Sequence, residues 1–250
     1  MYYEIVGTNV RLAGSLHRWP ADVGPKYLPT WVWEAYTWSQ QLYLEANLAD
    51  AAQFRCLADG SSLQTRLPAS VWTELRQRWP PTADVSSLRP WVALMALQFL
   101  GTAMVDGVEP QLAARAHSES KPIHYLETMT EFADRADSAS PSDYAEAFSR
   151  VFSGLEGIQN ALREMYGTWL TRSVEDVEAL LPRTLLGIPI VMKLILDDRN
   201  VTWLPRIEGA LDTRQRTLIV VGAAHLPRST GLLSLLKRKR YEVKLVREHP

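Results

Sequence analysis

RTLIVVGAAHL, residues 216–226, holds an unbroken apolar run that closes on a glycine and leaves a histidine three positions later. Near the other end, VRLAGSLHRW at 10–19 does the same, with Gly14 followed by His17. A short apolar run bounded in this way reads as a buried strand. A chain leaving a strand to shape a pocket needs a positive φ, or a backbone that a ligand can approach closely. Glycine supplies both. Gly14 and Gly222 therefore read as the points that let His17 and His225 turn inward.

The sequence around these runs sets the fold class. YYEIV (2–6) and VRLAGS (10–15), joined by Gly7-Thr8-Asn9, predict a hairpin. GSLHRWPADVGPKYLP reads as a loop, Pro29 opens a helix in TWVWEAYTWSQ, and QLYLEA (41–46) is a short strand. Strand, loop, helix and strand make a βαβ unit. The C-terminal part repeats it, with a strand at 216–222, a loop, a helix from Thr230 to about Lys239, and a strand at 241–246. A weaker third unit has Pro110 opening the helix QLAARAHSES, then the strand KPIHYLE (121–127) ending in Glu127.

The prediction is an α/β fold, a central mixed and partly parallel sheet flanked by helices, in one domain over 1–250. Its core strands fall within about 2–46, 121–127 and 216–246. Apolar residues at three- and four-residue spacing over 50–79 and 141–196, with loops at 80–90 and 136–142, predict large helical insertions at about 50–106 and 136–196. Within the second, Ser173 reads as the N-cap of VEDVEALL. Trp72, Trp79, Trp91 and Trp169 read as core mass before they read as a groove.

Ligands of open α/β sheets bind beyond the carboxyl ends of the strands. His17 and His225 lie just past their strands, and Glu45 and Glu127 close theirs. If those strands are parallel, four groups able to bind a metal or move a proton reach one edge. His117 and His124 fit a helix face and a strand face and read as structural, and His249 belongs to a terminal tail.

Composition narrows the classes. Apolar residues are 46%, charged residues 22%, and the net charge is −1. No global basic field points to nucleic acid. Lys237 to Arg240 fit the negative end of a helix dipole. Cys56 is the only cysteine, which removes an intrachain disulfide and a cysteine-built zinc site and leaves an inert thiol. MYYEIVGTN lacks the pattern of a signal peptide, and runs such as WVALMALQFLG are too short to span a bilayer. A cytoplasmic location is the default expectation. GLEGIQN has no strand before it to make a dinucleotide fingerprint, and no Gly-x-Ser-x-Gly elbow occurs.

Six segments in order resemble the TraB/GumN family, in its Tiki/PrgY-like form, within the erythromycin esterase/ChaN-like superfamily. They are Gly14-Ser15-Leu16-His17, LYLEAN with Glu45, Gly107-Val108-Glu109, KPIHYLET with Glu127, Arg199-Asn200-Val201-Thr202-Trp203, and Val221-Gly222-Ala223-Ala224-His225-Leu226. Two departures stand out. Asn47 occupies a place where the family often has Asp, and Arg18-Trp19-Pro20 replaces the usual apolar residue and glycine after the first histidine. The resemblance implies a metal-dependent, peptidase-like hydrolase acting on a peptide or small molecule, with manganese or cobalt preferred and zinc possible. It implies His17, Glu45 and His225 as metal ligands and Glu127 as general base or a further ligand, with the roles of Glu45 and Glu127 open to exchange. Arg199 would steady an oxyanion or a substrate carboxylate, with Asn200 bonding within that loop. The alternative it leaves open is a protein that sequesters a peptide or small ligand in the same cleft without turnover.

Overall fold

The computed structural model describes residues 1–246, so His249 lies outside the described residues. The hairpin forms from β1 (Tyr2–Ile5) and β2 (Val10–Ser15), antiparallel, with Tyr2 opposite Ala13 and Gly7 at φ +80° in the turn. After β3 (Arg18–Pro20) comes α1 (Thr30–Trp38), with Pro29 as its N-cap, and then β4 (Gln41–Leu44).

A helical stretch follows, containing α2 (Leu63–Arg66), α3 (Ala69–Arg78) and α4 (Pro90–Leu97). The insertion expected to be helical over about 50–106 closes instead on a strand, β5 (Met104–Asp106). This strand pairs antiparallel with β3 in a small separate sheet.

Next come α5 (Val108–Ser118) and β6 (Ile123–Tyr125). The helix starts before Pro110, which sits in the first turn, where its missing N–H costs nothing. The second helical region has α6 (Met129–Asp137), the long α7 (Pro141–Leu170), α8 (Val174–Leu180) and α9 (Pro189–Met192). The Ser140 hydroxyl accepts from Asp143 N in a capping box, and Ser173 caps α8 by accepting from Asp176 N. One π-helical stretch, Lys193–Asp197, leads into α10 (Asp198–Leu211). Last are β7 (Thr217–Gly222), α11 (Leu232–Arg238) and β8 (Val243–Leu245).

The main sheet has the order β6-β4-β7-β2-β1-β8. β2, β7, β4 and β6 are parallel to their neighbours in that set. β1 is antiparallel to both β2 and β8. The sheet is thus mixed and partly parallel, and the four strands that precede the marked residues point one way. β7 is buried at every position, as its unbroken apolar sequence requires of a central strand.

Two apolar clusters result. One packs both faces of the sheet and includes Leu12, Trp19, Trp169, Trp203 and Val220. The other joins α3, α4 and the first half of α7 through Leu75, Leu94, Phe148 and Phe152. α7 belongs to both, with Val151 in the helical cluster and Ala161 in the sheet cluster. Among the described residues, no helix is long and apolar enough to cross a membrane.

Candidate functional site

His17 lies two residues past β2, Glu45 one past β4, Glu127 two past β6 and His225 three past β7. The parallel strands deliver all four to one edge. The glycines work by close approach, since neither Gly14 nor Gly222 has a positive φ. A Cβ on Gly222 would stand 3.2 Å from His17 Nε2, 3.3 Å from Glu45 Oε1 and 3.5 Å from His225 Cδ2. A Cβ on Gly14 would meet Leu226 at 2.7 Å.

Glu45 is the hub. Its Oε1 accepts from Gly222 N at 2.6 Å and lies 3.5 Å from both His17 Nε2 and His225 Nε2. Its Oε2 accepts from Arg199 Nη2 at 2.6 Å. Each imidazole is held from behind. His17 Nδ1 sits 3.0 Å from Glu109 Oε1, and the Ser15 hydroxyl donates to that same oxygen. His225 Nδ1 is 2.7 Å from Asn200 Oδ1. Asn200 donates through Nδ2 to Thr230 O at 3.0 Å, which fixes its oxygen toward the ring. His225 Nδ1 therefore carries the proton, and Nε2 presents a lone pair to the site.

Arg199 is buried between the rings of Phe132 and Trp203, 5.0 and 4.5 Å from their centroids. Each of its three guanidinium nitrogens has a partner. Nε donates to Glu127 Oε1 at 2.7 Å, and Nη2 serves Glu45 and Glu127 at 2.6 Å each. Nη1 reaches Ile195 O at 3.2 Å and His225 Nε2 at 3.4 Å. The π-helical stretch before α10 supplies that Ile195 carbonyl. Glu127 is fully buried, and its Oε2 accepts from Arg135 Nη1 at 2.9 Å.

These contacts set the charge states. Burial works against a charged His17, yet the Glu109 and Glu45 carboxylates outweigh it and raise the group to about 9. Half of this side chain reaches solvent, but both ring nitrogens face carboxylates. His225 moves the opposite way: burial, reinforced by Arg199 and His17, overcomes the Glu45 charge and lowers it to about 3. Burial also opposes the Glu45 charge, but Arg199, the two histidines and the Gly222 N–H keep this carboxyl well below the usual carboxylate range.

The expected ligands were His17, Glu45 and His225. Among the described residues, donor atoms of His17, Glu45 and Glu109 form a group within 4.8 Å of one another, and His225 faces the same Glu45 oxygen from another side. Glu109 and Ser15 are buried parts of the centre that sequence reasoning did not count as site residues. Glu109 stands three residues past β5, but β5 lay inside a stretch read as helical, so no strand end marked it. Glu109 Oε2 is buried without a hydrogen-bond partner.

A cavity of about 320 Å³ borders this centre, lined at one part by Ser15, His17, Arg199, Gly222 and His225. Neither Glu127 nor any of Trp72, Trp79, Trp91 and Trp169 lines it. Trp169 is core, its Nε1 donating to Gly14 O at 2.9 Å. Size and enclosure suit a small-molecule or side-chain site.

Fold and centre together define an α/β protein with histidines and carboxylates gathered past the carboxyl edge of a parallel strand set. The sequence matches the TraB/PrgY/gumN family over residues 4–245, nearly the whole chain, and the chain belongs to that family. No curated protein and no solved structure matches it.

Proposed function

We propose that the protein is a metal-dependent hydrolase whose ion is held by His17, Glu45 and His225. One observation carries this reading. Two imidazoles turn Nε2 toward a single carboxylate oxygen at 3.5 Å each, while their Nδ1 atoms are fixed by Glu109 and Asn200. Metal-binding histidines are typically braced through the other ring nitrogen in this way. Bonds of about 2.0–2.1 Å at tetrahedral angles put ligand atoms roughly 3.4 Å apart, close to the spacing found.

Charge agrees. Two carboxylates flank His17 and hold a proton on it, so the centre demands positive charge. The buried, unpartnered Glu109 Oε2 is a second sign of unfilled acceptor capacity. A nitrogen and carboxylate donor set suits manganese or cobalt as well as zinc. Seating an ion requires the 3.4 Å contact of Arg199 Nη1 with His225 Nε2 to lengthen.

A divalent ion supplies Lewis acidity to a water and to the carbonyl oxygen of the scissile bond. The chain supplies the rest. Arg199 fixes Glu45, Asn200 fixes the His225 tautomer, and Glu109 orients His17. Two guanidiniums engage the oxygens of Glu127, which leaves the general-base role to another carboxylate. Glu109 has a free oxygen and takes that role. Hydrolysis then breaks an amide or ester bond of a peptide or small-molecule substrate.

The test combines metal analysis with assay of a peptide and ester panel before and after EDTA. His17→Ala and His225→Ala should each remove both metal and turnover. Turnover that survives both substitutions overturns the reading. Glu109→Gln should keep the metal and lose at least 100-fold in kcat. Loss of metal in that variant would instead make Glu109 a ligand. A ligand returned chemically unchanged, with affinity indifferent to EDTA, would mark a sequestering protein.

A further inference from the structure

The cavity beside the centre is chemically lopsided. At one end it is lined by Arg199 and by the segments that follow β2 and β7, Arg18 among them, and the rest of its wall comes from the helical insertions. They include Met95 and Phe99 around the end of α4, and Leu162 and Met165 on α7. Few polar side chains stand within that wall, and most of their hydrogen-bonding groups are engaged. Gln98 Nε2 donates to Met95 O at 3.2 Å. The Thr184 hydroxyl donates to Leu181 O at 2.8 Å and accepts from Leu186 N at 3.1 Å. A peptide backbone placed along the apolar part of that wall would find few partners for its N–H and C=O groups, and each one left unpaired is costly. An aliphatic chain has no such groups. The two methionines add a wall that adapts to its shape.

We propose that this cavity takes a medium-length aliphatic acyl chain, so that the substrate is an ester or amide of such an acid. At roughly 30 Å³ for each water-sized group, the room of about 320 Å³ holds about ten carbons. The carbonyl would sit at the His17 and His225 end. That placement rests on the hydrolase reading, whereas binding of the chain does not. In the reaction, the oxygen of water bonds to the acyl carbon as the acyl bond to oxygen or nitrogen breaks. One water proton goes to the leaving group, and the product acid loses its own to solvent.

Calorimetry with hexanoate, octanoate, decanoate and dodecanoate, kept below their aggregation limits, tests the chain directly. Affinity should rise about fourfold per added methylene and level off near ten carbons. Leu162→Trp and Met95→Phe fill the cavity from half-buried wall positions, and either should move the plateau to shorter chains. Affinity independent of length overturns the proposal. So do folded variants of both kinds with an unmoved plateau, or a leucine-rich pentapeptide that binds more tightly than decanoate. Assay of p-nitrophenyl acetate and decanoate separates the two readings. Length-dependent binding without hydrolysis of either ester defeats the hydrolase reading alone. Hydrolysis of both at equal kcat/KM, with length-independent binding, defeats the acyl-chain proposal alone.

Discussion

The Gly222 N–H donates to Glu45 Oε1 at 2.6 Å, joining the carboxyl end of the central strand to the hub of the site. The same glycine leaves room for both histidines. Its φ of −52° and ψ of 137° suit any residue, so its smallness is what matters. Gly222→Ala should therefore fold with stability within about 1 kcal/mol of the parent. Its Cβ would press on His17, Glu45 and His225 at 3.2–3.5 Å, and metal affinity should fall at least tenfold. Gly107→Ala makes the contrast, because its Cβ would meet Leu16 O at 1.9 Å. That clash is with backbone, and denaturant melts should show a loss of about 1–3 kcal/mol or more. Equal metal affinity in Gly222→Ala and the parent would refute the crowding argument.

Arg199 neutralises two buried carboxylates. Removing it leaves Glu45 and Glu127 buried, with Arg135 as the remaining guanidinium on Glu127. Arg199→Met should cost about 3–5 kcal/mol in urea unfolding. Arg199→Lys should recover only part of that, since an ammonium cannot replace a planar fork engaged on all three nitrogens. Full stability in the lysine variant would show that charge alone suffices.

Asn200 acts through His225 and is a positioning residue. Asn200→Leu should lower metal affinity by about 10–100-fold, the usual size of such outer-shell losses. Asn200→Asp keeps an acceptor on Nδ1 and should rescue most of the affinity. If leucine and aspartate behave alike, the contact has no orienting role.

Much of this was legible in the sequence, for physical reasons. Gly-x-x-His after an apolar run marks a buried strand and its exit, and the strands proved parallel where that mattered. The side-chain partners were not legible, because they depend on separations far apart in the chain. Ser15 meets Glu109 across 94 positions and Arg199 meets Glu45 across 154. Glu109 was hidden for a further reason. Its strand, β5, is three residues long and among the described residues pairs only with β3, so period-two alternation had nothing to register. Arg199 looked like a group aimed at substrate, and its engaged donors appear only once Glu127 and Ile195 are placed in space.

The two histidines shape the acid–base stability of the metal-free protein in opposite ways. His17 is raised from 6.5 to about 9. Its contribution is fully present below pH 6.5 and is lost as pH rises through 9. His225 is lowered from 6.5 to about 3. The unfolded chain then takes up a proton that the folded chain refuses, so stability falls as pH drops from 6.5 toward 3. These two groups place a stability maximum near pH 6.5 for EDTA-treated protein. His17→Gln should flatten the alkaline limb in thermal melts and leave the acid limb in place. An alkaline limb unchanged in that variant would assign it to other groups.

Metal binding should expel one proton at pH 7, and that proton should come from His17. In the metal-free centre His17 holds its proton up to about 9, while His225 is already neutral, its value lowered to about 3. Glu45 is ionised, being held well below the usual carboxylate range. An ion needs a lone pair on each imidazole. His225 offers one at no cost in protons, and His17 must give its proton up. Apparent affinity should thus rise about tenfold per pH unit below 9 and level off above it. Calorimetric titration at pH 7, in buffers of different ionisation enthalpy, counts the protons directly. A count of zero would mean that the ion does not bind through His17, and a count of two would mean that His225 also starts protonated. Either result would break the link between the 3.5 Å contacts on Glu45 and a metal centre.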